Sequence, residues 1–398
     1  MNILFFSPHA LADSSSGAAR CVQTLLEELT TLGHSCRVLT GSVVDGPNHL
    51  FQRMLEMPPE RQLTAADSEI KIPVRRVVLE NVEHVIVGGE ARQSHDLPAV
   101  EETALLQTFL KTFSDGPPDV TLTYGGFSSN YVAGRYAMSR GCKSAAFIAT
   151  ASYGGPDDLL HANHLVTVSK AMAAYLPEET RRGPMTILAP LVRREQVVAS
   201  ARTPEYITFI NPMLGKGLTV AAAIAAACQD RGKPYKFLFV ESRGTQADAL
   251  AKSAGLRRCR NVSFAGNTSD MRAVYARTGV LLFPSLWFES AGRVILEANA
   301  NGIPVLAHNI GGIPEMMNGA GYLFDPPAAL TQDWSAAAPP EYIDRWIDVI
   351  DRLHLDENER RAAARRAREA DAKYDLGGLA RAFAAGVHPA YTTTEPKV

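Results

Sequence analysis

Apolar residues along this chain fall into short continuous runs, separated by longer stretches with helical spacing. In the first half, Ile3–Phe6, Cys36–Thr40, Val120–Tyr124, Ala145–Ala149 and Leu165–Val168 read as buried strands, and Val74–Val87 as a hairpin or strand pair. Between the first two strands, Ala18–Leu32 puts Cys21, Val22, Leu25, Leu26 and Leu29 on one helical face, and Gly33-His34 ends it. Strand and helix in alternation predict a parallel α/β sheet. The stretch from Gly41 to Ile72 breaks the pattern: with Pro47, Pro58 and Pro59 it reads as a long irregular loop of the kind that serves a site.

Ala189-Pro190-Leu191 and the polar run from Arg193 to Pro204 read as a linker, after which the alternation restarts. Strands are expected at Tyr206–Ile210, Lys236–Glu241, Asn261–Ala265 and Val280–Phe283, with helices at Leu218–Gln229, Gln246–Ala254 and Asp270–Ala276 between them. A further helix starts near Gly292, and a short strand follows from Gly302 to Ala307. Beyond Pro327 the pattern is helical through Tyr342–Leu353, Glu357–Ala372 and Leu376–Ala385. Domains are therefore expected at 1–192 and 193–374, with a terminal helix and tail at 375–398.

The length of 398 residues suits two domains, and an apolar content of 46% with 21% charged residues describes a globular chain. A formal net charge of −2 gives no case for nucleic acid or an anionic membrane as the main partner. The five cysteines, Cys21, Cys36, Cys142, Cys228 and Cys259, have no metal-site spacing and suit reduced thiols. The chain enters a strand at Asn2 with no signal-peptide pattern, and no apolar run has spanning length, so a cytoplasmic protein without stable membrane insertion is expected.

The chemistry concentrates around two glutamates, Glu289 and Glu297, in an E-x7-E arrangement that follows a strand and enters a helix. A carboxylate before a helix N-terminus stands beside unpaired backbone N–H groups, a place that also holds phosphate. One ligand with phosphates and many hydroxyls, a nucleotide sugar, fits both features. Upstream, Asn211-Pro212-Met213-Leu214-Gly215-Lys216-Gly217 joins a strand to a helix, and its lysine is well placed to neutralise a departing diphosphate. Downstream come Gly302-Ile303-Pro304-Val305 and Gly311-Gly312-Ile313-Pro314-Glu315.

From about Tyr206 to Pro327 this ordered run resembles the C-terminal half of the family-4 retaining glycosyltransferases. The shared features are P-S-x-x-x-E, the E-x7-E pair, a G-x-P-V strand and a G-G-x-x-E turn. The resemblance implies a GT-B fold: two facing Rossmann-like domains with a deep interdomain cleft, the first binding an acceptor and the second the donor. It implies transfer of a sugar from a nucleotide diphosphate with retained configuration, by front-face substitution. In these terms Lys216 meets the diphosphate, Glu289 the donor sugar and Glu297 the ribose. The backbone of Ser290, Ala291, Gly292 and Arg293 meets the phosphates, with Gly217 allowing close approach and Asn267 near the base. The last helix, Leu376–Ala385, is expected to cross back to the N-terminal domain.

The chain departs from the family in three places. Asn211 stands near the position of a usual arginine, and Arg243 is the candidate replacement at the next strand end. Ser16-Gly17 replaces a double glycine that lies over the donor phosphate. Where many members carry a histidine near the reacting sugar, this chain has Thr150-Ala151-Ser152-Tyr153. His9, the His95-Asp96 pair and Tyr153 are the candidates for acceptor contact, while His161 and His164 read as packing residues. No D-x-D pair occurs, so no metal is expected, and no cofactor besides the sugar-nucleotide co-substrate. Arg20 is the only cation of the first helix, which favours a soluble small-molecule acceptor over a lipid-linked or polysaccharide one. A non-catalytic nucleotide-sugar binding protein is the alternative from another class.

Overall fold

The computed structural model describes residues 1–388 except 47, 65–69, 153–156, 182 and 254. The chain divides into two compact units, one formed by Met1–Leu191 with the segment from Asp375 onward, the other by Val192–Tyr374.

In the first unit, β1 (Asn2–His9), α1 (Gly17–Thr31) and β2 (Ser35–Val43) form the opening β–α–β turn. They are followed by α2 (His49–Glu56), β3 (Arg61–Thr64), β4 (Lys71–Leu79), β5 (Val82–Val87) and α3 (Ala99–Asp115). Then come β6 (Val120–Thr123), α4 (Ser128–Ser139), β7 (Lys143–Ile148), β8 (His164–Thr167), α5 (Lys170–Tyr175) and β9 (Met185–Ile187). The nine strands among the described residues lie in the order β3-β4-β5-β2-β1-β6-β7-β8-β9. Among the described residues only the β3–β4 and β4–β5 pairs are antiparallel. Strand order reverses between β1 and β6, so their C-terminal ends flank the crevice where open α/β sheets bind ligands.

In the second unit, α6 (Arg194–Val197), β10 (Tyr206–Ile210), α7 (Leu218–Asp230), β11 (Lys236–Val240), α8 (Gln246–Lys252) and β12 (Val262–Ala265) come first. They lead to α9 (Arg272–Arg277), β13 (Thr278–Phe283), α10 (Arg293–Ala300), β14 (Val305–His308), α11 (Ile313–Met317) and β15 (Tyr322–Phe324). The helices α12 (Ala328–Gln332), α13 (Pro340–Leu355) and α14 (Glu357–Ala372) complete it. All six strands are parallel, in the order β12-β11-β10-β13-β14-β15. Parallel strands are covered on both faces, which is why they read as unbroken apolar runs. Ile207, Phe209, Val280 and Leu282 face α7 and α13 in the larger core, around the fully buried Trp346. The final helix, α15 (Leu376–Val387), packs on α1 within the first unit.

One expectation needs correction. The stretch from Gly41 to Ile72 is not an irregular loop: β2 runs on to Val43, and α2 and β3 occupy much of the remainder. Asn48 caps α2 by accepting from the Phe51 N–H (3.1 Å), and Phe51, Met54 and Leu55 bury one face of it. The prolines around this eight-residue helix mask its period. The polar run from Arg193 to Pro204, read as part of the linker, follows the division between the units and is pinned to the second. Arg202 donates to the carbonyls of Asn301 and Thr278 (both 2.6 Å), and Asn301 Oδ1 accepts from the Ala199 N–H at 2.9 Å.

Candidate active site

The site in the second unit is built where β10 and β13 end. Asn211 leaves β10 with a left-handed backbone (φ 64°), and its side-chain oxygen accepts from the Gly244 N–H at 2.9 Å. The side chain thus ties the loop after β10 to the loop after β11. A short 3-10 turn, Leu214–Lys216, then presents Lys216, and Gly217 follows with φ 86°. A Cβ at Gly217 would lie 1.8 Å from the Pro284 carbonyl oxygen, so only glycine lets this loop press against the end of β13. The Gly215 carbonyl accepts from the N–H groups of Leu286 (2.9 Å) and Trp287 (3.2 Å), and from Ser285 Oγ (3.2 Å). Gly217→Ala is expected to destabilise the second unit by about 3 kcal/mol, the cost of strain added to overpacking. Denaturant unfolding of the variant measures it.

The two loops bring Lys216 and Glu289 together across 73 residues of sequence: Nζ lies 2.5 Å from Oε1. The same oxygen accepts from Ser285 Oγ and from the Trp287 indole N–H, both at 2.6 Å. Lys216 Nζ also sits over the Trp287 ring, 4.5 Å from its centroid. Glu289 is 7% exposed, and its backbone is embraced from behind, its carbonyl accepting the Gly312 N–H at 2.8 Å. Gly311 makes that approach possible: at φ 56° a Cβ there would lie 2.2 Å from the Glu289 carbonyl oxygen. The Gly311-Gly312 turn therefore acts as a backstop for the carboxylate.

His308, which sequence reading missed, supports the same loop from the end of β14. Its Nδ1 lies 2.9 Å from the Ser285 carbonyl, so Nδ1 carries the proton and donates. Burial pushes its pKa from 6.5 down to about 4. A histidine held neutral in the fold but protonated when unfolded opposes folding in acid. Its contribution is complete above pH 6.5 and is lost as pH falls toward 4. His84 and His164 in the first unit are likewise pushed to about 4 by burial. Stability is expected to fall steeply between pH 6.5 and 4, and His308→Gln to flatten that slope for the second unit. An unchanged slope would exclude His308 as its source.

The helix α10 opens behind Glu289, with Gly292 at φ 107° as its first cap and Ser290 and Ala291 buried before it. Within it Glu297 is held by two partners: Arg293 Nη1 lies 3.0 Å from Oε1, and the Tyr275 hydroxyl donates to Oε2 at 2.6 Å. Both oxygens are thus engaged by the protein, and any ligand hydroxyl has to share them. Arg243 is exposed in the turn after β11, and Asn267 follows β12. Across the sheet edge the order is Asn267, Arg243, Lys216, Glu289 and Gly311-Gly312, one from each successive loop.

In the first unit Ser16 caps α1, accepting from the Ala19 N–H at 3.5 Å, and a Cβ added at Gly17 would meet nothing within 4 Å. The fold itself does not require Gly17 to be glycine. The hub of this loop is Asp13, missed in the sequence, which accepts from the N–H groups of Ser15 (2.8 Å) and Asp45 (2.6 Å). His9 stands at the end of β1, beside the ring of Phe127 at 5.2 Å and 3.9 Å from Asp45. That is the crevice flanked by β1 and β6. His95 lies in an exposed 3-10 turn, Ser94–Asp96, with Nε2 3.5 Å from Asp96. Tyr153 lies outside the described residues. His161 and His164 are buried and bonded to the Tyr124 carbonyl (3.1 Å) and Thr186 (2.9 Å), in packing roles. Among the described residues no group of three His, Cys, Asp or Glu side chains could hold a metal ion. No helix among them is long and apolar enough to cross a membrane.

Residues 195–370 match the family model described as Glycosyl transferases group 1. The whole chain is similar to sucrose-phosphate synthase from Thermosynechococcus elongatus (TM-score 0.67, 14% identity, 96% of this chain and 98% of that one). It is also similar to HepE from Anabaena, solved with UDP and glucose (TM-score 0.63, 14% identity, 96% and 98%). A third is the catalytic domain of starch synthase IV from Arabidopsis thaliana, bound to ADP and acarbose (TM-score 0.67, 11% identity, 99% and 100%). These likenesses establish the GT-B fold. No curated protein matches the chain in sequence.

Proposed function

From the glycosyl transferases group 1 domain carried by residues 195–370, we propose that the protein is a glycosyltransferase that uses a nucleotide-diphosphate sugar as donor. The observation that carries this reading is the Lys216–Glu289 pair, joined at 2.5 Å beside the N-terminus of α10. Departure of a nucleoside diphosphate from a sugar concentrates negative charge on the leaving oxygens. A fixed cation and the N–H groups of a helix N-terminus stabilise that charge without reorganising. Glu289 Oε1 fixes the ammonium in place, and the same carboxylate also accepts from hydroxyls of the donor sugar. Relatives in fold were solved with UDP and with ADP, which supports a nucleotide at this edge of the sheet.

The finer reading is retention of configuration by front-face substitution, in which the leaving phosphate helps take the acceptor proton. Glu289 is kept for binding because its Oε1 already accepts three hydrogen bonds. Glu297 is then a ribose contact that shares its oxygens with Tyr275 and Arg293. Arg243 adds charge from the adjacent strand end, and His9 in the crevice flanked by β1 and β6 contacts a soluble small-molecule acceptor. Proton NMR of the glycoside is expected to show the donor's anomeric configuration, and an inverted product would contradict the front-face route. Catalysis through Lys216 and amides needs no metal, so activity is expected to survive EDTA. Loss with chelator and recovery with manganese would overturn that part.

Gly17 offers a separate check on the first unit. Gly17→Ala is expected to leave the melting temperature unchanged while weakening donor use about tenfold, because the substitution adds a methyl group only where a ligand comes close. Unaltered kinetics would place the loop away from the donor.

A further inference from the structure

Trp334, in the turn after α12, is 39% exposed although it stands against Trp287, which meets the charged pair. Its carbonyl accepts from Thr219 Oγ1 in the first turn of α7 (3.1 Å), which fixes the backbone. Its ring meets Trp287 edge to face, with centroids 6.1 Å apart at 81°. Both indoles close over Gly215, where a Cβ would lie 2.8 Å from Trp287 Cε3 and 3.1 Å from Trp334 Cζ3. Trp287 in turn donates to Glu289 and lies beneath the Lys216 ammonium. A large aromatic surface is thus held rigidly next to the proposed site and left open to water.

The direction of this surface follows from the alternation of β13. Val280 and Leu282 face the core shared with α7, the helix against which Trp334 is fixed. Phe283 points to the opposite face, where its ring lies against Gly292 at the start of α10. The indoles and the α10 N-terminus therefore flank the Lys216–Glu289 pair from opposite faces. A donor with its phosphates at α10 and its glycosidic bond at the pair turns its sugar toward the tryptophans. The base-side candidate, Asn267, lies at the far edge of the sheet after β12.

We infer that Trp334, backed by Trp287, is a stacking wall for the apolar face of the donor's pyranose ring. The C–H face of a pyranose packs against an indole and removes both from water, while the hydroxyls remain for Glu289. This rests on the nucleotide-sugar reading above.

The test is calorimetric titration of the full chain, of Trp334→Ala and of Trp334→Phe, with UDP, GDP, ADP and dTDP and with their glucose and N-acetylglucosamine conjugates. Trp334→Ala is expected to keep its nucleoside-diphosphate affinity within about twofold and to lose about tenfold for the matching sugar conjugate, with Trp334→Phe recovering most of it. Equal loss for nucleotide and conjugate, or no loss for the conjugate, would overturn the stacking role while leaving the donor reading intact. Failure of the unaltered protein to bind any nucleotide would overturn the donor reading, and the stacking role with it. Matched melting temperatures show that the variants fold.

Discussion

Replacing Lys216 with alanine is expected to lower kcat/KM for sugar transfer by about 10³-fold, or about 4 kcal/mol of transition-state stabilisation. The ammonium meets charge that grows as the diphosphate departs, so the loss falls mainly on kcat. Lys216→Arg is expected to recover part of it, since the charge is kept but a planar guanidinium does not reproduce a point charge over the Trp287 ring. The fold should survive, because Lys216 is attached to a loop fixed by the backbone bonds of Gly215 and not by its own side chain. Steady-state kinetics with a radiolabelled donor separate the two parameters. A Lys216→Ala enzyme with unchanged kcat would remove the lysine from the chemistry.

Glu289→Gln is expected to lower transfer by about 10²-fold or more, through lost hydroxyl positioning and a misplaced Lys216. Truncation to alanine has a second consequence that follows from the structure. Lys216, Ser285 and Trp287 all donate to Glu289 Oε1; in alanine Ser285 can turn to the Gly215 carbonyl, but Lys216 and Trp287 lose this acceptor in a site where Glu289 is 7% exposed. Glu289→Ala should therefore also cost about 2–3 kcal/mol of stability, the partial exposure of Lys216 keeping it at the lower end. Kinetics and denaturant unfolding run on both variants separate the roles. Full activity in Glu289→Gln would contradict the proposed donor contact.

Much of the second unit was legible in the sequence. Its strands are parallel and doubly covered, so Tyr206–Ile210, Lys236–Val240 and Thr278–Phe283 appear as apolar runs bounded by turns. The first unit was harder, because α2 lies among prolines and its cap, Asn48, reads as an ordinary loop residue. At the site, the motif order pointed to Lys216 and Glu289, but not to what surrounds them. Ser285 and Trp287 donate to the Glu289 carboxylate from its own segment, while Lys216 reaches it, and His308 the Ser285 carbonyl, only after distant loops pack. Ser285 of the P-S-x-x-x-E run and Trp287, two positions before Glu289, were the available local signals. The departure at Asn211 has a local explanation: a left-handed backbone and a bond to Gly244, a role that asparagine fills well and a β-branched or bulky residue does not.

Sequence reading gave Glu289 and Glu297 different contacts on one ligand, and their surroundings in the structure differ as well. Glu289 faces the lysine, while Glu297 is 3% exposed and anchored to Tyr275 and Arg293. Their shared motif therefore holds two different jobs, one at the mouth of the loop and one inside the helix.

The most direct measurement is a binding titration of the unaltered chain and of Lys216→Ala with UDP-, GDP-, ADP- and dTDP-sugars. At least one donor should bind the unaltered chain and stabilise it by about 2.7 kcal/mol at ~100 times its dissociation constant, and lysine removal should weaken that donor at least about tenfold. No binding by any of the four, or equal affinity in Lys216→Ala, would contradict the assignment of Lys216 and Glu289 to a nucleotide-sugar site.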